Sequence, residues 1–264
     1  MNLLVTDIDS TLSVGETVSE EVISACRSLC DNGWQIMIAT GRTLQSSLSH
    51  ISQISALDTA IVYDGARVMR AQGKEIMGFE LSHGDVLDIM ELSWDSDLEI
   101  QITGDENIFC RESDFETRDF CYKTGLTCTI IDSPEFEGKV YRVAFWGEQD
   151  TIRSLELKLS NYFHKRFNIT RGGDNFLDIL PAGISKGYAL EQLILKGYVR
   201  VSGIIAAAGD HMNDFELLNY ADISAAPHNC APEILKLADI IMPSVENHGF
   251  SFLAKTLIST GFRG

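Results

Sequence analysis

Short apolar runs that are rich in β-branched residues recur near both ends of the chain, with turn residues between them. Runs in which nearly every position is apolar are typical of strands covered on both faces, as in a parallel sheet. The predicted strands are Leu3–Ile8, Gln35–Ala39, Ala60–Tyr63, Gly203–Ala208, Asp222–Ala226 and Asp239–Met242. Between them, Ser19–Asn32 and Lys186–Lys196 have apolar residues near helical spacing. This alternation predicts right-handed βαβ units and a parallel sheet.

The middle of the chain follows a different pattern. Helices are predicted at 84–94, 113–123 and 150–163, and short strands at 98–103, 107–110, 126–131, 140–146, 166–170 and 175–180. Turn sequences at 104–107 and 172–175 join neighbouring strands tightly, which indicates antiparallel pairing. The sequence therefore predicts an α/β fold in which residues 1–81 and 184–264 form a parallel-sheet core and residues 82–183 form an inserted α+β domain.

The charge balance narrows the possible partners. The 264 residues include 21 Lys and Arg against 38 Asp and Glu, a formal net charge of −17. Binding to a nucleic-acid backbone needs a basic stripe, and no such cluster occurs, so we expect neither a nucleic-acid nor a membrane partner. No apolar run reaches the roughly 18–20 residues of a membrane helix. Acidic residues near the N-terminus also argue against a signal peptide, so we expect a cytoplasmic protein.

The cysteines do not suggest a metal site. No C-x-x-C pair occurs among the six, so the sequence lends little support to zinc binding. Disulfide frameworks are typical of short secreted chains, and this chain is not of that kind. We therefore expect buried, reduced thiols.

Two carboxylates follow the first predicted strand. Asp7 and Asp9 are two residues apart, a spacing that points both side chains to the same side of an extended segment. Like charges so close are tolerated when a cation lies between them or when one carboxyl holds a proton. Both conditions are useful in catalysis. A helix cap followed by a turn residue is the alternative interpretation.

A second acidic group follows the predicted strand Gly203–Ala208. Asp210, Asn213 and Asp214 lie in the segment Gly209–Asp214, just before a predicted helix. Asp and Asn also favour the N-cap position of a helix, so a purely structural role is equally compatible with this pattern.

Two further positions could hold an anion. Thr40 and Gly41 follow the strand Gln35–Ala39 and would offer a hydroxyl and backbone N–H groups, although a local cap is the alternative. Lys186 opens a predicted helix, where its charge opposes the helix dipole. It is either a functional cation or a solvated surface lysine.

These residues share one location. Asp7, Thr40 and the segment Gly209–Asp214 all lie just beyond the C-terminal ends of predicted parallel strands. Ligands of open α/β sheets bind at that edge. An acidic cluster, a hydroxyl and a lysine together suit a divalent cation with oxygen ligands plus a phosphate.

These motifs, in this order, resemble those of the haloacid dehalogenase-like (HAD) phosphatase superfamily, in particular its Cof-type group with a type IIB cap. The four matching motifs are Asp7-Ile8-Asp9-Ser10-Thr11, Thr40 in Ala39-Thr40-Gly41-Arg42, Lys186 in Ser185-Lys186-Gly187, and Gly209 to Asp214. The resemblance implies a Rossmann-like core with the cap between the second and third motifs. The sequence departs from the family pattern at Ser10, where the family usually has Gly, and at Asp64, where the group usually has Asn. A third departure is Ala225-Ala226-Pro227-His228, where the group usually has a Met-Gly-rich run.

The resemblance also implies a chemistry and a ligand set. Asp7 is expected to be the nucleophile that forms an aspartyl-phosphate, and Asp9 the acid and base. The expected Mg²⁺ ligands are the Asp7 side chain, the main-chain carbonyl of Asp9, Asp210 and Asp214, while Thr40, Gly41, Lys186 and Asn213 are expected to hold the phosphate. The substrate implied is a small phosphorylated metabolite such as a sugar phosphate, and the protein is expected to be a monomer or a homodimer.

Two other functions stay open from the sequence. A phosphomutase would use the same aspartyl-phosphate but would need a second cationic phosphate pocket in the cap, and the basic residues of the cap are scattered along the sequence. A phospho-acceptor switch of the receiver type also gathers acidic residues, a threonine and a lysine on an α/β edge. Such domains are about half as long and carry no inserted cap.

Overall fold

The computed structural model describes residues 1–54, 56–105, 107–124, 126–134 and 137–260. The described chain forms two compact units. The first contains Met1–Met77 and the chain from Ser185 onward, and the second contains Gly78–Ile184.

Strands and helices alternate along most of the described chain. The strands are β1 (Asn2–Thr6), β2 (Trp34–Ile38), β3 (Thr59–Val62), β4 (Arg67–Arg70), β5 (Glu75–Gly78), β6 (Glu99–Thr103), β7 (Asn107–Cys110), β8 (Thr127–Ile130), β9 (Arg142–Trp146), β10 (Phe167–Thr170), β11 (Phe176–Pro181), β12 (Ile205–Ala208), β13 (Ile223–Pro227) and β14 (Ile240–Met242). The helices are α1 (Glu20–Asp31), α2 (Leu44–Gln53), α3 (His83–Ser93), α4 (Phe115–Thr124), α5 (Gln149–Phe163), α6 (Lys186–Leu195), α7 (Phe215–Tyr220), α8 (Pro232–Leu237) and α9 (Gly249–Ser259).

The first unit is built on a parallel sheet, which confirms the predicted α/β fold class. Its five strands lie in the order β14-β13-β12-β1-β2, and every pair is parallel. The inner strand β1 is buried along its whole length because it has a neighbour on each side and apolar side chains on both faces. Thr6 at the end of β1 lies opposite Ala208 on one side and Ile38 on the other. The C-terminal ends of three strands therefore meet at one edge.

A small second sheet begins beside the C-terminal end of β2. Ala39, just after β2, forms a parallel bridge with Ile61 of β3, and β3 pairs antiparallel with β4 in the three-stranded order β3-β4-β5. Sequence patterns do not predict β4 and β5, since each strand is only four residues long and carries charged residues that mask the apolar pattern. Arg67 and Glu75 form an ion pair of 2.7 Å between these strands.

The second unit has a mixed sheet in the order β10-β11-β9-β6-β7-β8. The tight-turn predictions are confirmed, since β6 pairs antiparallel with β7 and β10 with β11. Strands β7 and β8 run parallel because α4 connects them and carries the chain back to the start of the sheet. Apolar side chains of β6, β9 and β11 pack against α3 and α5 to form the core of this unit.

Two sequence predictions of a general kind can be compared with the structure. Within the described residues, no helix has both the length and the apolar character needed to cross a bilayer. All six cysteines are free thiols, as predicted. The expectation of burial is wrong for Cys30, which is exposed because it lies on the solvent-facing side of α1, and Cys128 and Cys230 are only half-buried.

Candidate active site

The carboxyl edge of the first unit's parallel sheet brings the predicted residues together. The backbone ladder continues past the strand ends: Asp7 N–H donates to the Ala208 carbonyl at 3.0 Å, and Thr40 N–H donates to the Ile61 carbonyl at 2.9 Å. Asp210 follows β12 by two residues. The sheet register therefore sets the main-chain positions from which Asp7, Thr40 and Asp210 extend.

Lys186 lies at the centre of this edge. It is the first residue of α6, where the Ser185 hydroxyl caps the helix by accepting from Tyr188 N–H at 3.1 Å. The lysine is fully buried, and its Nζ donates to Asp7 Oδ1 at 2.9 Å and to Asp214 Oδ1 at 2.7 Å. This geometry excludes the surface-lysine interpretation. Burial alone would lower the pKa of Lys186, but the surrounding carboxylates outweigh it and raise that pKa.

Asp214 connects the lysine to the loop after β12. Its Oδ2 accepts hydrogen bonds from the backbone N–H groups of Asp210 at 3.0 Å and His211 at 3.3 Å, while its Oδ1 accepts from Lys186. Asp214 is completely buried. It therefore orders the loop that carries Asp210 and also orients the lysine.

Three carboxylates approach closely enough to share one cation. Asp7, Asp210 and Asp214 each offer an oxygen within 4.8 Å of the other two, and all three residues are buried. Burial raises the pKa of Asp7, an effect that Lys186 opposes and that Asp214 and Asp210 reinforce. Burial and the nearby Asp214 raise the pKa of Asp210 to about 7.

These carboxylates fit a divalent cation. One lysine does not offset three buried acids, so an additional positive charge would stabilise their ionised forms. Carboxylate oxygens are the ligands that Mg²⁺ prefers. The main-chain carbonyl of Asp9, which the sequence analysis also named as a ligand, stays a prediction.

The carboxylate of Asp9 has a partner of its own. Arg42 donates to it through Nε at 2.9 Å and through a terminal nitrogen at 2.7 Å, in a bidentate pair. The other terminal nitrogen of Arg42 binds Glu16 at 3.0 Å. Ser10, which follows Asp9, has a left-handed φ of 56°, so the chain turns directly after Asp9. Asp7 and Asp9 therefore have separate cationic partners, Lys186 and Arg42.

The loop after β2 carries the predicted anion ligands. Thr40 is buried, and its hydroxyl oxygen accepts from Arg42 N–H at 3.2 Å, which orients the hydroxyl proton elsewhere. A Cβ added at Gly41 would lie 2.9 Å from Oδ2 of Asp64, so a larger residue here would force the Asp64 carboxylate to shift. Thr40 and Gly41 therefore lie beside Asp64, which the sequence analysis noted only as a departure from a family pattern.

Asn213 also reaches Asp64. Its side-chain amide donates to Asp64 Oδ1 at 2.8 Å, and the same oxygen is 3.8 Å from Lys186 Nζ. Sequence reasoning assigned no role to Asp64 or to Arg42. The rule that polar residues beyond strand ends gather at one edge would have found Asp64, because it follows β3 as Asp7 follows β1.

Comparison with known proteins shows a consistent set of relatives. Residues 4–253 match the sequence model of the haloacid dehalogenase-like hydrolases. The chain is 24% identical to the putative phosphatase YxeH of Bacillus subtilis, over 97% of this chain and 98% of that protein. It is 28% identical to the HMP-PP phosphatase of Escherichia coli O6:H1, over 86% of this chain and 84% of that protein. The fold matches the HAD subclass IIB sugar phosphatase BT4131 with a TM-score of 0.81 at 18% identity, over 97% of this chain and 99% of that one.

Proposed function

The chain belongs to the haloacid dehalogenase-like hydrolase family, and from that membership we propose that it is a Mg²⁺-dependent phosphatase of small phosphomonoesters that acts through an aspartyl-phosphate on Asp7. The family assigns the enzyme to the hydrolases, as the sequence resemblance predicted. The observation that carries the finer proposal is the buried contact of Asp7 with Lys186, beside Asp210 and Asp214.

Asp7 is the nucleophile in this proposal. Lys186 holds one of its carboxylate oxygens at 2.9 Å, which fixes the orientation of the group. An oxygen of Asp7 forms a bond to phosphorus while the bond from phosphorus to the ester oxygen breaks. Lys186 also places a positive charge next to the phosphoryl oxygens, where negative charge is concentrated in the transition state.

Asp9 moves the proton. In its acid form it protonates the leaving ester oxygen, and in its base form it takes a proton from the water that attacks the phosphorus of the aspartyl-phosphate. That second step releases inorganic phosphate and restores Asp7. The Asp9 side chain is 54% exposed, so it can exchange protons with water, and the bidentate contact of Arg42 orients its carboxylate.

Other residues bind the phosphoryl group and the cation. Thr40, Gly41 and Asn213 supply donors to the non-reacting oxygens, together with Lys186. Asp7, Asp210, Asp214 and the carbonyl of Asp9 would hold Mg²⁺, which when bound withdraws charge from the phosphoryl oxygens and orients them.

The substrate class follows from the names of the relatives. One is an HMP-PP phosphatase and one a sugar phosphatase, so small phosphorylated metabolites are the proposed substrates. Such metabolites are too highly charged to cross a bilayer freely, and we place the activity in the cytoplasm for that reason.

The test is phosphate release from a panel of sugar phosphates, nucleoside monophosphates and pyrimidine phosphates, with Mg²⁺ and with EDTA. We expect metal-dependent multiple turnover, and a fall in kcat of roughly 10⁴-fold or more for Asp7→Asn. Asp58→Asn is a matched control, because Asp58 precedes β3 and pairs with Arg70 outside the site. It should keep wild-type kinetics.

Three outcomes would contradict the proposal. Normal turnover by Asp7→Asn would exclude Asp7 as the nucleophile. A single phosphorylation of the protein without further turnover would indicate a phospho-acceptor switch. Transfer of the phosphoryl group to another position of the substrate, without release of inorganic phosphate, would indicate a phosphomutase.

A further inference from the structure

A left-handed turn lies next to the candidate active site. Tyr63, Asp64 and Gly65 have φ angles of 50°, 52° and 100°, and two of these residues carry side chains that disfavour such angles. Such backbone strain persists only where the surroundings impose it, and it is concentrated at functional sites. The turn between β3 and β4 is therefore a candidate for a functional role.

The surroundings of the turn are closely packed. Tyr63 N–H donates to the Arg42 carbonyl and Asp64 N–H to the Thr40 carbonyl, each at 3.1 Å. On the other side, a Cβ at Gly65 would lie 2.2 Å from the Ser185 carbonyl oxygen. The turn is thus held between the loop after β2 and the start of α6.

The strained turn places one carboxylate beside the proposed phosphate-binding residues. Asp64 is 1% exposed, and its Oδ1 accepts from the Asn213 amide at 2.8 Å and lies 3.8 Å from Lys186 Nζ. Its Oδ2 lies 2.9 Å from the position that a Cβ of Gly41 would occupy. All three neighbours are residues to which the proposed function assigns phosphate binding.

Asp64 adds a negative charge to a cluster that already contains three carboxylates. Four buried carboxylates, those of Asp7, Asp64, Asp210 and Asp214, lie around the buried ammonium of Lys186. With all of these groups ionised and one divalent cation bound, their formal sum is −1, whereas without Asp64 it would be zero. A phosphoryl dianion therefore enters a site that is already negative. Asp64 also shares Lys186, the cation that the dianion needs.

We propose that Asp64 is a specificity-determining residue that weakens the binding of phosphoryl dianions, so that inorganic phosphate leaves the site quickly and inhibits the enzyme little. The inference rests on the proposed function, since it assumes that Lys186, Gly41 and Asn213 hold a phosphoryl group. Asp64 opposes that group by charge repulsion and by competing for its donors.

The experiment measures the affinity for inorganic phosphate by titration calorimetry in the presence of Mg²⁺. Asp64→Asn keeps the shape of the side chain and an oxygen that can accept from Asn213, and it removes the charge. Asp64→Ser is a second uncharged variant, and either variant that gives a wild-type circular dichroism spectrum is sufficient for the test. Asp58→Asn removes a charge at the opposite end of β3 and controls for the net charge of the protein.

The expected result is a Kd for phosphate at least about tenfold lower in the uncharged Asp64 variants, because one charge within a few ångströms is worth that much at the effective dielectric of a buried site. The Ki of phosphate as product inhibitor should fall in parallel. Asp58→Asn should bind phosphate like the wild type. A gain in affinity is also a result that damage to the fold would not produce.

Unchanged or weaker phosphate binding in both Asp64 variants would overturn the inference and leave Asp64 a structural partner of Asn213. Equal tightening of phosphate binding by Asp58→Asn and Asp64→Asn would overturn it as well, because the net charge of the protein would then explain the gain. Failure of the proposed function is a separate result: a wild type that releases no phosphate from any ester, but whose Asp64 variants bind phosphate more tightly, would refute the phosphatase and support the role of Asp64.

Discussion

Replacing Lys186 by methionine tests whether the buried lysine stabilises the first unit, which is called the core unit below. Methionine has a similar length and fills the same space, but it cannot pair with carboxylates. Lys186 is fully buried and donates to Asp7 and Asp214, with Asp64 3.8 Å away. Its removal leaves these acids buried without their cation.

The expected loss of stability follows from these contacts. Two hydrogen bonds between charged groups contribute about 1.5–3 kcal/mol each. Breaking a buried ion pair by removing one partner costs about 3–5 kcal/mol, because the remaining charge stays buried. The two values agree, so the free energy of unfolding of the metal-free protein should fall by about 3–5 kcal/mol at pH 8 for Lys186→Met.

The effect should depend on pH in a defined direction. Burial raises the pKa of Asp7 even in the wild type, where Lys186 opposes the effect, so the pKa of this carboxyl stays raised in the variant. A carboxyl with a raised folded pKa destabilises the fold as the pH rises through that pKa, and its protonation at lower pH removes the uncompensated charge. The loss caused by Lys186→Met should therefore be smaller at pH 5.5 than at pH 8.

The assay is urea unfolding followed by tryptophan fluorescence. Trp34 is buried in the first unit, while Trp94 and Trp146 belong to the second. Replacing the latter two by phenylalanine leaves a signal that reports on the core unit alone. Lys196→Met is the matched control, because Lys196 is exposed at the C-terminal end of the same helix, and it should change stability by less than about 0.5 kcal/mol.

Two results would refute the reasoning. If Lys186→Met unfolds at the same urea concentration as the wild type at pH 8, the desolvation cost of the lysine cancels its ion pairs. A loss of stability that is equal at both pH values would show that the missing packing, and not the charge, is responsible.

Three further predictions concern the same edge of the sheet. Arg42→Gln should lower kcat by about 10–100-fold with the fold retained, because Asp9 loses its bidentate partner; an unchanged kcat would deny Arg42 a positioning role. Gly65→Ala should destabilise the core unit by at least about 2 kcal/mol in urea unfolding. The added Cβ would clash with the Ser185 carbonyl, and alanine disfavours the φ of 100° at this position. An unshifted unfolding midpoint would mean that the turn adjusts at little cost. Calorimetry should show that Mg²⁺ binds about tenfold more weakly at pH 6 than at pH 8. The reason is that the pKa of Asp210 is raised to about 7, and its protonated form does not bind a cation. A constant affinity would exclude this carboxylate as a ligand.

Local patterns in the sequence were sufficient for the fold class and for the location of the site. Strands buried on both faces read as apolar runs, and the chain itself sets which residues follow each strand. The sequence alone therefore assigns Asp7, Thr40 and Asp210 to one edge of the sheet, and the structure confirms that placement. Their catalytic and binding roles stay predictions until the variants are measured.

The apolar pattern did not predict strands that were short or that charged residues interrupted. Strands β4 and β5 were missed for that reason. The parallel pairing of β7 with β8 depends on the path of α4 and not on a turn motif. The pairing of β7 with β8 joins segments that no local turn signal connects.

Only the tertiary structure decided which charged side chains pair with one another. The sequence alone left Lys186 balanced between a surface residue and a functional cation, since its position at a helix start is compatible with both. Its burial against Asp7, Asp64 and Asp214 depends on chain segments up to 179 residues away. Burial and electrostatic interaction depend on distance in space, and sequence spacing does not encode that distance. For the same reason the sequence could name Asp64 and Arg42 but could not show that one lies against Lys186 and the other against Asp9.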